Sequence, residues 1–257
     1  MKRLENRVAV ITGAGRGIGF AAAEAFVREG AKVVLAEIDE GLGTQAESRL
    51  RAAGGEATFV QTDCGDRASV EALLARTDER FGALHVLYNN ASVFLAQDQP
   101  VADLDEAVWD RVLRVNLKSV FLGCKYAIPR IIRSGGGSMI NTASSAAVIG
   151  IPGCDAYTAA KGATTALTRS LAVEYGRQGV RVNCICPAGV ETEMMRVSNL
   201  DNAAFDADFF FRRAPLGRFG RPEEIAQLAV FLASDESSYL NGAIVRADGG
   251  ITIAPIA

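Results

Sequence analysis

Tyr157 and Lys161 are the residues of this chain whose types and spacing best suit chemistry. They lie four positions apart, and Ser144 precedes Tyr157 by thirteen residues. Positions i and i+4 share one face of a helix, so the ammonium of Lys161 can lie beside the phenol of Tyr157. A free tyrosine loses its proton only at about pH 10, and a neighbouring cation lowers that pKa. The three residues therefore predict a proton-transfer site, in which the Ser144 hydroxyl holds the oxygen being protonated.

A glycine-rich turn near the N-terminus gives this pair its context, since a Tyr–Lys pair alone is more often a tyrosine beside a solvated lysine. The apolar, β-branched run at residues 8–11 predicts a buried strand. A turn with Gly13, Gly17 and Gly19 follows at once, and Ile18 begins apolar residues at helical spacing. This order presents backbone N–H groups and a helix N-terminus to a pyrophosphate. The spacing departs from Gly-x-Gly-x-x-Gly, yet the arrangement predicts a dinucleotide site.

Glu37 indicates which dinucleotide is preferred. It ends the second predicted strand, residues 32–36, and lies some twenty residues beyond the glycine turn. A carboxylate there accepts hydrogen bonds from ribose hydroxyls and repels a 2′-phosphate. Ile38 follows, so no adjacent cation is present to bind that phosphate. Arg16 in the turn is evidence for the other cofactor, because its guanidinium could reach a phosphate. The residues predict NAD(H) over NADP(H).

Further motifs agree in order with these. Asp63 follows a third predicted strand at 57–61, Asn89-Asn90-Ala91 closes a fourth at 84–88, and Asn116 lies in Val-Asn-Leu. With the glycine turn and the Ser–Tyr–Lys set, the chain resembles the compact single-domain short-chain dehydrogenases/reductases over almost its whole length. The resemblance implies a catalytic tetrad of Asn116, Ser144, Tyr157 and Lys161. It implies cofactor contacts from Gly13, Arg16, Gly17, Ile18, Gly19, Glu37, Asp63, Cys64, Asn90, Ala91, Tyr157, Lys161, Val190 and Thr192.

The activity that the resemblance implies is interconversion of a secondary alcohol and a ketone by hydride transfer. Tyr157 would be the general acid/base and Ser144 would stabilise the substrate oxygen. Lys161 would lower the pKa of Tyr157 and grip the nicotinamide ribose. Asn116 would hold a water that links Lys161 to solvent.

Two departures from the family pattern concern loops beside the site. Ser92 stands where the family has glycine after Asn-Asn-Ala, and Ala188 follows Pro187 where the family has glycine. Ser92 either narrows the site, contributes a hydroxyl, or is a tolerated loop substitution. With Ala188 in place of glycine, the sequence does not determine the backbone path of the loop that carries Val190 and Thr192.

The alternation of strand and helix predicts an α/β fold, a doubly wound parallel sheet of Rossmann type in a single domain over residues 1–257. Asp103 and Glu106 have the spacing of a capping box, which predicts that the helical stretch carrying Asn116 begins there. A substrate lid is expected at about residues 190–215. Further helices are expected at 41–53, 67–81, 157–175 and 222–233, and further strands at 138–142, 180–186 and 243–245.

Composition excludes several function classes. The net charge of −3 is scattered along the chain, which argues against a nucleic-acid surface. Hydrophobic residues make up 49% without an apolar run of membrane-spanning length, and the charged N-terminus lacks a signal peptide, so a cytoplasmic protein is expected. His85, the one histidine, and the five cysteines lack metal-ligand spacing, so no metal site is expected. Cys154, near Tyr157, is a hypothetical site of oxidation.

Substrate choice is less determined by the sequence. Apolar residues near the tetrad and in the lid segment favour cyclic or otherwise apolar secondary alcohols. A sugar dehydrogenase and a 3-oxoacyl-thioester (acyl-carrier-protein) reductase share the motifs, although Gly135 and Val173 stand where arginines for an acidic carrier are expected. A non-catalytic dinucleotide sensor is the alternative from another class. The resemblance also implies a homo-oligomer, usually a tetramer, to which the apolar tail 251–257 can contribute.

Overall fold

Strands and helices alternate through the computed structural model, which describes residues 2–196 and 213–254. The strands β1 to β7 are Val8–Thr12, Lys32–Glu37, Ala57–Gln61, Val86–Asn89, Gly137–Thr142, Val180–Pro187 and Ile244–Ala247. The helices α1 to α8 are Gly17–Arg28, Glu40–Ala52, Arg67–Phe81, Glu106–Leu113, Ser119–Arg133, Asp155–Tyr175, Glu193–Met195 and Pro222–Ala233. A turn of π-helix, Arg114–Lys118, joins α4 to α5.

The strands form one seven-stranded sheet in the order β3-β2-β1-β4-β5-β6-β7. Every pairing in it is parallel, so the carboxyl ends of all the strands lie along one edge. The order reverses between β1 and β4, and a ligand crevice forms outside the carboxyl ends at such a point in open α/β sheets. This confirms the predicted doubly wound parallel sheet.

Helices cover both faces of the sheet because its strands are apolar on both sides. Ala9 and Ile11 of β1 face a core shared with α1 and α8, while Val10 faces a second core shared with α3 and α5. The same alternation holds along β2 and β4, as the two-residue period of a strand requires. Buried on both faces, such strands read as continuous hydrophobic runs.

A buried row of polar side chains ties the long helix α6 to the centre of the sheet. The Asn89 amide donates to Asn141 Oδ1 at 2.9 Å, and the Asn141 amide donates to Thr168 Oγ1 at 3.0 Å. All three residues are buried, where an unpaired amide is costly. The row therefore fixes the position of α6 relative to β4 and β5.

Three local predictions need correction. The carboxylate that caps α4 belongs to Asp105, which accepts from Ala107 N at 2.7 Å, and Asp103 lies in the preceding turn. The fourth strand begins at Val86, so His85 precedes it, and its Nδ1 accepts from Val8 N at 3.0 Å. The last strand is Ile244–Ala247, one residue later in its start than predicted. In each case several adjacent residues suit the element. Strand pairing decides where the two strands begin, and the backbone path decides which aspartate caps α4.

The predicted lid at about 190–215 lies largely outside the described residues. The described part includes the short helix Glu193–Met195, and residues 197–212 are not described. Across residues 2–196 and 213–254, none of the helices combines the length and apolar character needed to cross a bilayer.

Candidate active site

The turn after β1 and the end of β4 are bound to each other at the point where strand order reverses. Thr12 Oγ1 accepts from the backbone N–H groups of Asn90 and Ala91 at 2.9 and 3.0 Å. The Asn90 amide donates back to the carbonyls of Thr12 and Gly13 at 3.1 and 3.3 Å. Of the predicted cofactor residues, Asn90 and Ala91 thus lie directly against the glycine turn.

Side chains are excluded from this turn by close backbone approach. Gly13 has φ +62°, and a Cβ on it would lie 2.9 Å from Ala91 Cα. A Cβ on Gly19 would lie 2.0 Å from the Gly13 carbonyl oxygen. Gly17 also has a positive φ, of +55°, a conformation that glycine adopts readily. The turn therefore presents bare backbone at the start of α1.

The N-terminus of α1 differs from those of its neighbours in a way that fits a phosphate. Aspartate side chains cap α2, α3 and α4, namely Asp39, Asp66 and Asp105. Arg16, at the cap of α1, makes no such bond within the described residues, and its first turn holds no acidic residue. A pyrophosphate fits here because helix N-termini bind anions through backbone N–H groups.

Glu37 ends β2 and lies against the glycine turn. Its Oε2 accepts from Gly15 N at 3.0 Å and its Oε1 accepts from Ile38 N at 2.8 Å. Arg16, the residue of the turn that could bind a 2′-phosphate, is paired elsewhere. Its guanidinium lies 2.6 Å from Glu193 Oε2 at the start of α7. The negative charge of Glu37 therefore faces this part of the edge without Arg16 as its partner.

Asp63 and Cys64 follow β3 at the same edge. Asp63 Oδ1 accepts from Gly65 N at 2.9 Å, and its Oδ2 pairs with Arg114 at 2.5 Å. Burial, with the charges of Asp63 and Glu37, raises the pKa of the Cys64 thiol to about 12. Cys64 is therefore a neutral, packed thiol.

The loop after β6 reaches the glycine turn despite Ala188. Gly220 N donates to Gly189 O, and Glu191 N donates to Gly220 O, both at 2.9 Å, which sets the path of this loop. Thr192 then caps α7, and its Cγ2 would lie 3.4 Å from a Cβ on Gly17. Thr192 thus faces the turn, and Val190 is buried behind it.

Ser144, Tyr157 and Lys161 come together beyond the ends of β5 and β6. Ser144 begins a short 3₁₀ turn, and its Oγ accepts from Ala146 N at 3.2 Å. Lys161 is 1% exposed, its Nζ donates to the Thr142 carbonyl at 3.0 Å, and it lies 5.5 Å from the centre of the Tyr157 ring. The Tyr157 hydroxyl faces the hydroxyls of Ser144 and Ser92, both of which lower its pKa.

Burial dominates the ionisation of this cluster, which corrects the expectation that Lys161 lowers the pKa of Tyr157. Tyr157 is partly exposed as a residue, but desolvation of its hydroxyl raises its pKa to about 12, against the lowering effect of Ser144 and Ser92. Burial also lowers the pKa of Lys161 to about 8. Both groups are thus shifted toward their neutral forms, because removal from water penalises the charged form of each.

Asn116 supports the loop after β4. It lies in the π-helical turn, and it is fully buried. Its Oδ1 accepts from Ser92 Oγ at 3.0 Å and Val93 N at 2.8 Å, and its amide donates to the Val93 carbonyl at 2.8 Å. Two donors already occupy Oδ1, which has two lone pairs. Ser92 is therefore part of this network rather than a neutral loop substitution.

Asp98 is a residue of the site that was missed in the sequence, whereas Phe94 is one of the apolar residues expected near the tetrad. Asp98 binds the N-terminus of α6 through Ala156 N and Tyr157 N, at 3.1 and 2.8 Å. The ring of Phe94 packs edge-on against Tyr157 with centroids 5.1 Å apart. Asp98 is 58 positions from Ala156, so no local spacing could reveal it. The only available signal was that aspartate favours helix N-termini.

The cysteines are free, and four of the five are buried. Cys154 is 2% exposed, its thiol donates to the Ile151 carbonyl at 3.3 Å, and burial raises its pKa. Because the thiolate is the form that oxidises readily, this environment disfavours the oxidation site hypothesised for Cys154.

Comparison with known proteins supports a single family. A family model described as enoyl-(acyl carrier protein) reductase matches residues 13–252. A 2-(S)-hydroxypropyl-CoM dehydrogenase from Xanthobacter autotrophicus is 39% identical, over 97% of this chain and 98% of its own. A cis-4-hydroxycyclohexanecarboxylate dehydrogenase from Sinomonas cyclohexanicum is 40% identical, over 96% of each chain.

Solved structures agree with these relatives. The crystal structure of a gluconate 5-dehydrogenase from Burkholderia cenocepacia, in complex with NADP and tartrate, superposes with a TM-score of 0.92. It is 34% identical, and the match covers 98% of each chain. With the glycine turn, the parallel sheet and the Ser–Tyr–Lys cluster at one edge, these matches show that the chain belongs to the short-chain dehydrogenase/reductase family, as an enzyme acting on CH–OH groups with a nicotinamide dinucleotide.

Proposed function

We propose that this protein interconverts a secondary alcohol and a ketone with NAD(H), and that Tyr157 is the general acid/base. The observation that carries the proposal is the Tyr157 hydroxyl, which faces the Ser144 hydroxyl and lies one helical turn before Lys161. Proton transfer by a positioned side chain contributes about 10²- to 10⁴-fold in rate.

Each residue of the cluster has a distinct part in the proposed reaction. A bound nicotinamide dinucleotide supplies the hydride acceptor for oxidation or the donor for reduction. Ser144 donates a hydrogen bond to the substrate oxygen and stabilises the charge that develops there. Tyr157, a neutral phenol at physiological pH given its raised pKa, is poised to give a proton to that oxygen in ketone reduction. Lys161 binds the nicotinamide ribose in this scheme, and Asn116 holds the loop that carries Ser92.

The test of this function follows NADH fluorescence while the protein and NAD⁺ meet a panel of secondary alcohols. The panel contains cyclic alcohols, dihydrodiols, steroids, sugars and hydroxyacyl thioesters. Tyr157→Phe should reduce turnover on the responding class by about 10²-fold or more, because it removes the transferred proton, and should leave NADH binding unchanged. A Tyr157→Phe variant that keeps most of its turnover would contradict the mechanism. NADH binding without turnover on any class would favour the dinucleotide sensor.

Apolar or cyclic substrates are favoured by the side chains around Tyr157. The Phe94 ring packs on the Tyr157 ring. Val148 and Ile151, which precede Tyr157 closely in the sequence, are 41% and 36% exposed. The relative that acts on cis-4-hydroxycyclohexanecarboxylate supports a cyclic substrate. The gluconate 5-dehydrogenase structure keeps a sugar-derived substrate as the second candidate.

The family model that matches is described as an enoyl-(acyl carrier protein) reductase, which shares only the acyl-carrier substrate with the 3-oxoacyl-thioester candidate. Recognition of an acidic carrier protein requires a basic surface. Gly135 lies in the turn before β5, and Val173 is an apolar residue 85% exposed on α6. Neither position offers a cation to such a carrier, which weakens this candidate.

NAD(H) is the preferred cofactor in this proposal because of the charges near the glycine turn. Glu37 contacts the turn directly, and it would repel a 2′-phosphate there. Glu193 engages Arg16, the nearest candidate for binding that phosphate in the turn. Both effects disfavour NADP(H).

Glu37→Gln removes the charge and keeps a hydrogen-bonding side chain. It should strengthen NADPH binding by roughly tenfold relative to NADH, since one unfavourable charge interaction is lost. Fluorescence titration of both cofactors measures this ratio, with Glu79→Gln, an exposed site on α3, as the control. An unchanged ratio, or wild-type protein that binds NADPH as tightly as NADH, would contradict the assignment.

Lys161 serves the site at the expense of stability. Its pKa is lowered to about 8 in the folded protein, so the unfolded chain holds this proton to a higher pH. The unfavourable contribution is therefore complete below about pH 8 and disappears as the pH rises toward the ordinary lysine value.

Lys161→Met should accordingly be more stable than wild type at pH 7 by about 1–2 kcal/mol, after allowing for the lost bond to Thr142. The difference should shrink as the pH rises, and turnover should be lost. Urea unfolding at neutral and alkaline pH measures it, and Lys118→Met, at an exposed site, should show no such trend. A variant less stable than wild type at pH 7 would refute this expectation.

A second copy of the chain is proposed to cover the outer face of α5 and α6, giving the homo-oligomer that the family resemblance implies. A groove of about 680 Å³ runs along these helices, lined by Phe121, Ile128, Ile132, Leu167, Leu171 and Tyr175 among others. Phe121 is 47% exposed there. Light scattering should find an oligomer that Phe121→Glu dissociates, because the charge cannot be buried unpaired. A monomeric wild-type protein would exclude the assembly.

A further inference from the structure

Asp98 caps the catalytic helix from a distant loop. It lies between β4 and α4, and it is 5% exposed. Its Oδ1 accepts from Ala156 N at 3.1 Å and its Oδ2 accepts from Tyr157 N at 2.8 Å. Both N–H groups belong to the first turn of α6, where the cap residue Cys154 makes no side-chain capping bond in the described structure. One buried carboxylate therefore satisfies two N–H groups of this turn, including that of Tyr157.

The same loop holds this end of α6 at further points. Val101 N donates to Asp155 Oδ2 at 2.8 Å, so the carboxylate of Asp155 is directed to the loop. The Phe94 ring packs on the Tyr157 ring, and Ser92 and Val93 are fixed by Asn116. The loop thus connects the start of α6 to the buried π-helical turn.

Removal of the Asp98 carboxylate would leave the first turn of α6 without its partners. A negative charge at a helix N-terminus is favoured by the helix dipole, and buried N–H groups without acceptors are costly. The turn would then shift or fray to reach water. Because the Tyr157 backbone is one of the two anchored groups, its hydroxyl would move relative to Ser144.

We propose that Asp98 is a positioning residue for the reaction: its carboxylate fixes the first turn of α6 so that the Tyr157 hydroxyl stays beside Ser144. The inference rests on the proposed role of Tyr157. It assigns no proton transfer to Asp98, which contacts Tyr157 through the backbone only. The predicted consequence is a loss in turnover with cofactor binding intact, since the glycine turn lies at the end of β1 and Lys161 is held independently by the Thr142 carbonyl.

The experiment compares kcat, KM and NADH affinity in three variants, on the substrate found with the alcohol panel. Asp98→Ala should lower kcat by about 10²-fold, the cost of a misplacement of about 1 Å, with NADH affinity unchanged. Asp98→Asn retains an acceptor oxygen and should recover part of the loss. Asp66→Ala removes the carboxylate that caps α3 through Ser69 N, so it should lower the melting temperature and leave kcat unchanged.

A double variant separates this proposal from a general loss of structure. In a Tyr157→Phe background, Asp98→Ala should cause little further loss of the residual turnover, because both changes act through the same hydroxyl. Full kcat in Asp98→Ala, or losses that simply multiply in the double variant, would overturn the positioning role. If Asp98→Ala does not fold, Asp98→Asn and Asp98→Glu take its place in the same cycle, and wild-type kcat in both would overturn the role.

These outcomes are distinct from failure of the proposed function. If Tyr157→Phe keeps its turnover, the acid/base assignment itself fails. If Tyr157→Phe is inactive while Asp98→Ala is fully active, only the positioning role of Asp98 fails.

Discussion

The contact between Thr12 and Asn90 is the constraint on which the site depends. β1 and β4 are neighbours in the sheet but are separated by two β–α units in the chain, and strand order reverses between them. Their ends are held together by Thr12 Oγ1 and by the Asn90 amide, which exchange hydrogen bonds with the opposite backbone. This closeness leaves no room for a Cβ at Gly13, so the phosphate-binding turn and the loop after β4 form one surface.

The catalytic cluster is built around buried charge. Lys161 is almost fully enclosed and bonded to a backbone carbonyl, and Asp98 is buried against two N–H groups at the start of the same helix. Desolvation opposes the charged forms of Lys161 and Tyr157 alike. Such perturbed groups are typical of functional sites, where the requirements of chemistry oppose those of stability.

Local patterns predicted the elements and the main motifs well, because each depends on residues close together in the chain. The strand at 57–61 and the helix at 67–81 were confirmed with their predicted bounds. Asp103 was predicted to cap α4 because of its spacing to Glu106, but Asp105 is the cap, since the backbone path decides which carboxylate reaches the first turn. The predicted direction of the pKa shift of Tyr157 was wrong, because the spacing shows that a cation is near but gives no measure of how strongly the hydroxyl is desolvated.

The sequence by itself determined the alternation of elements, the bare glycine turn, the acidic end of β2 and the i, i+4 relation of Tyr157 and Lys161. These follow from periodicity and from backbone geometry, which act over a few residues. Only the tertiary structure decided that Asp98 caps α6, that Glu193 engages Arg16, and that Asn116 supports Ser92 and Val93. Each of these joins residues more than twenty positions apart, and such contacts exist only once the parallel sheet has brought its strand ends to one edge.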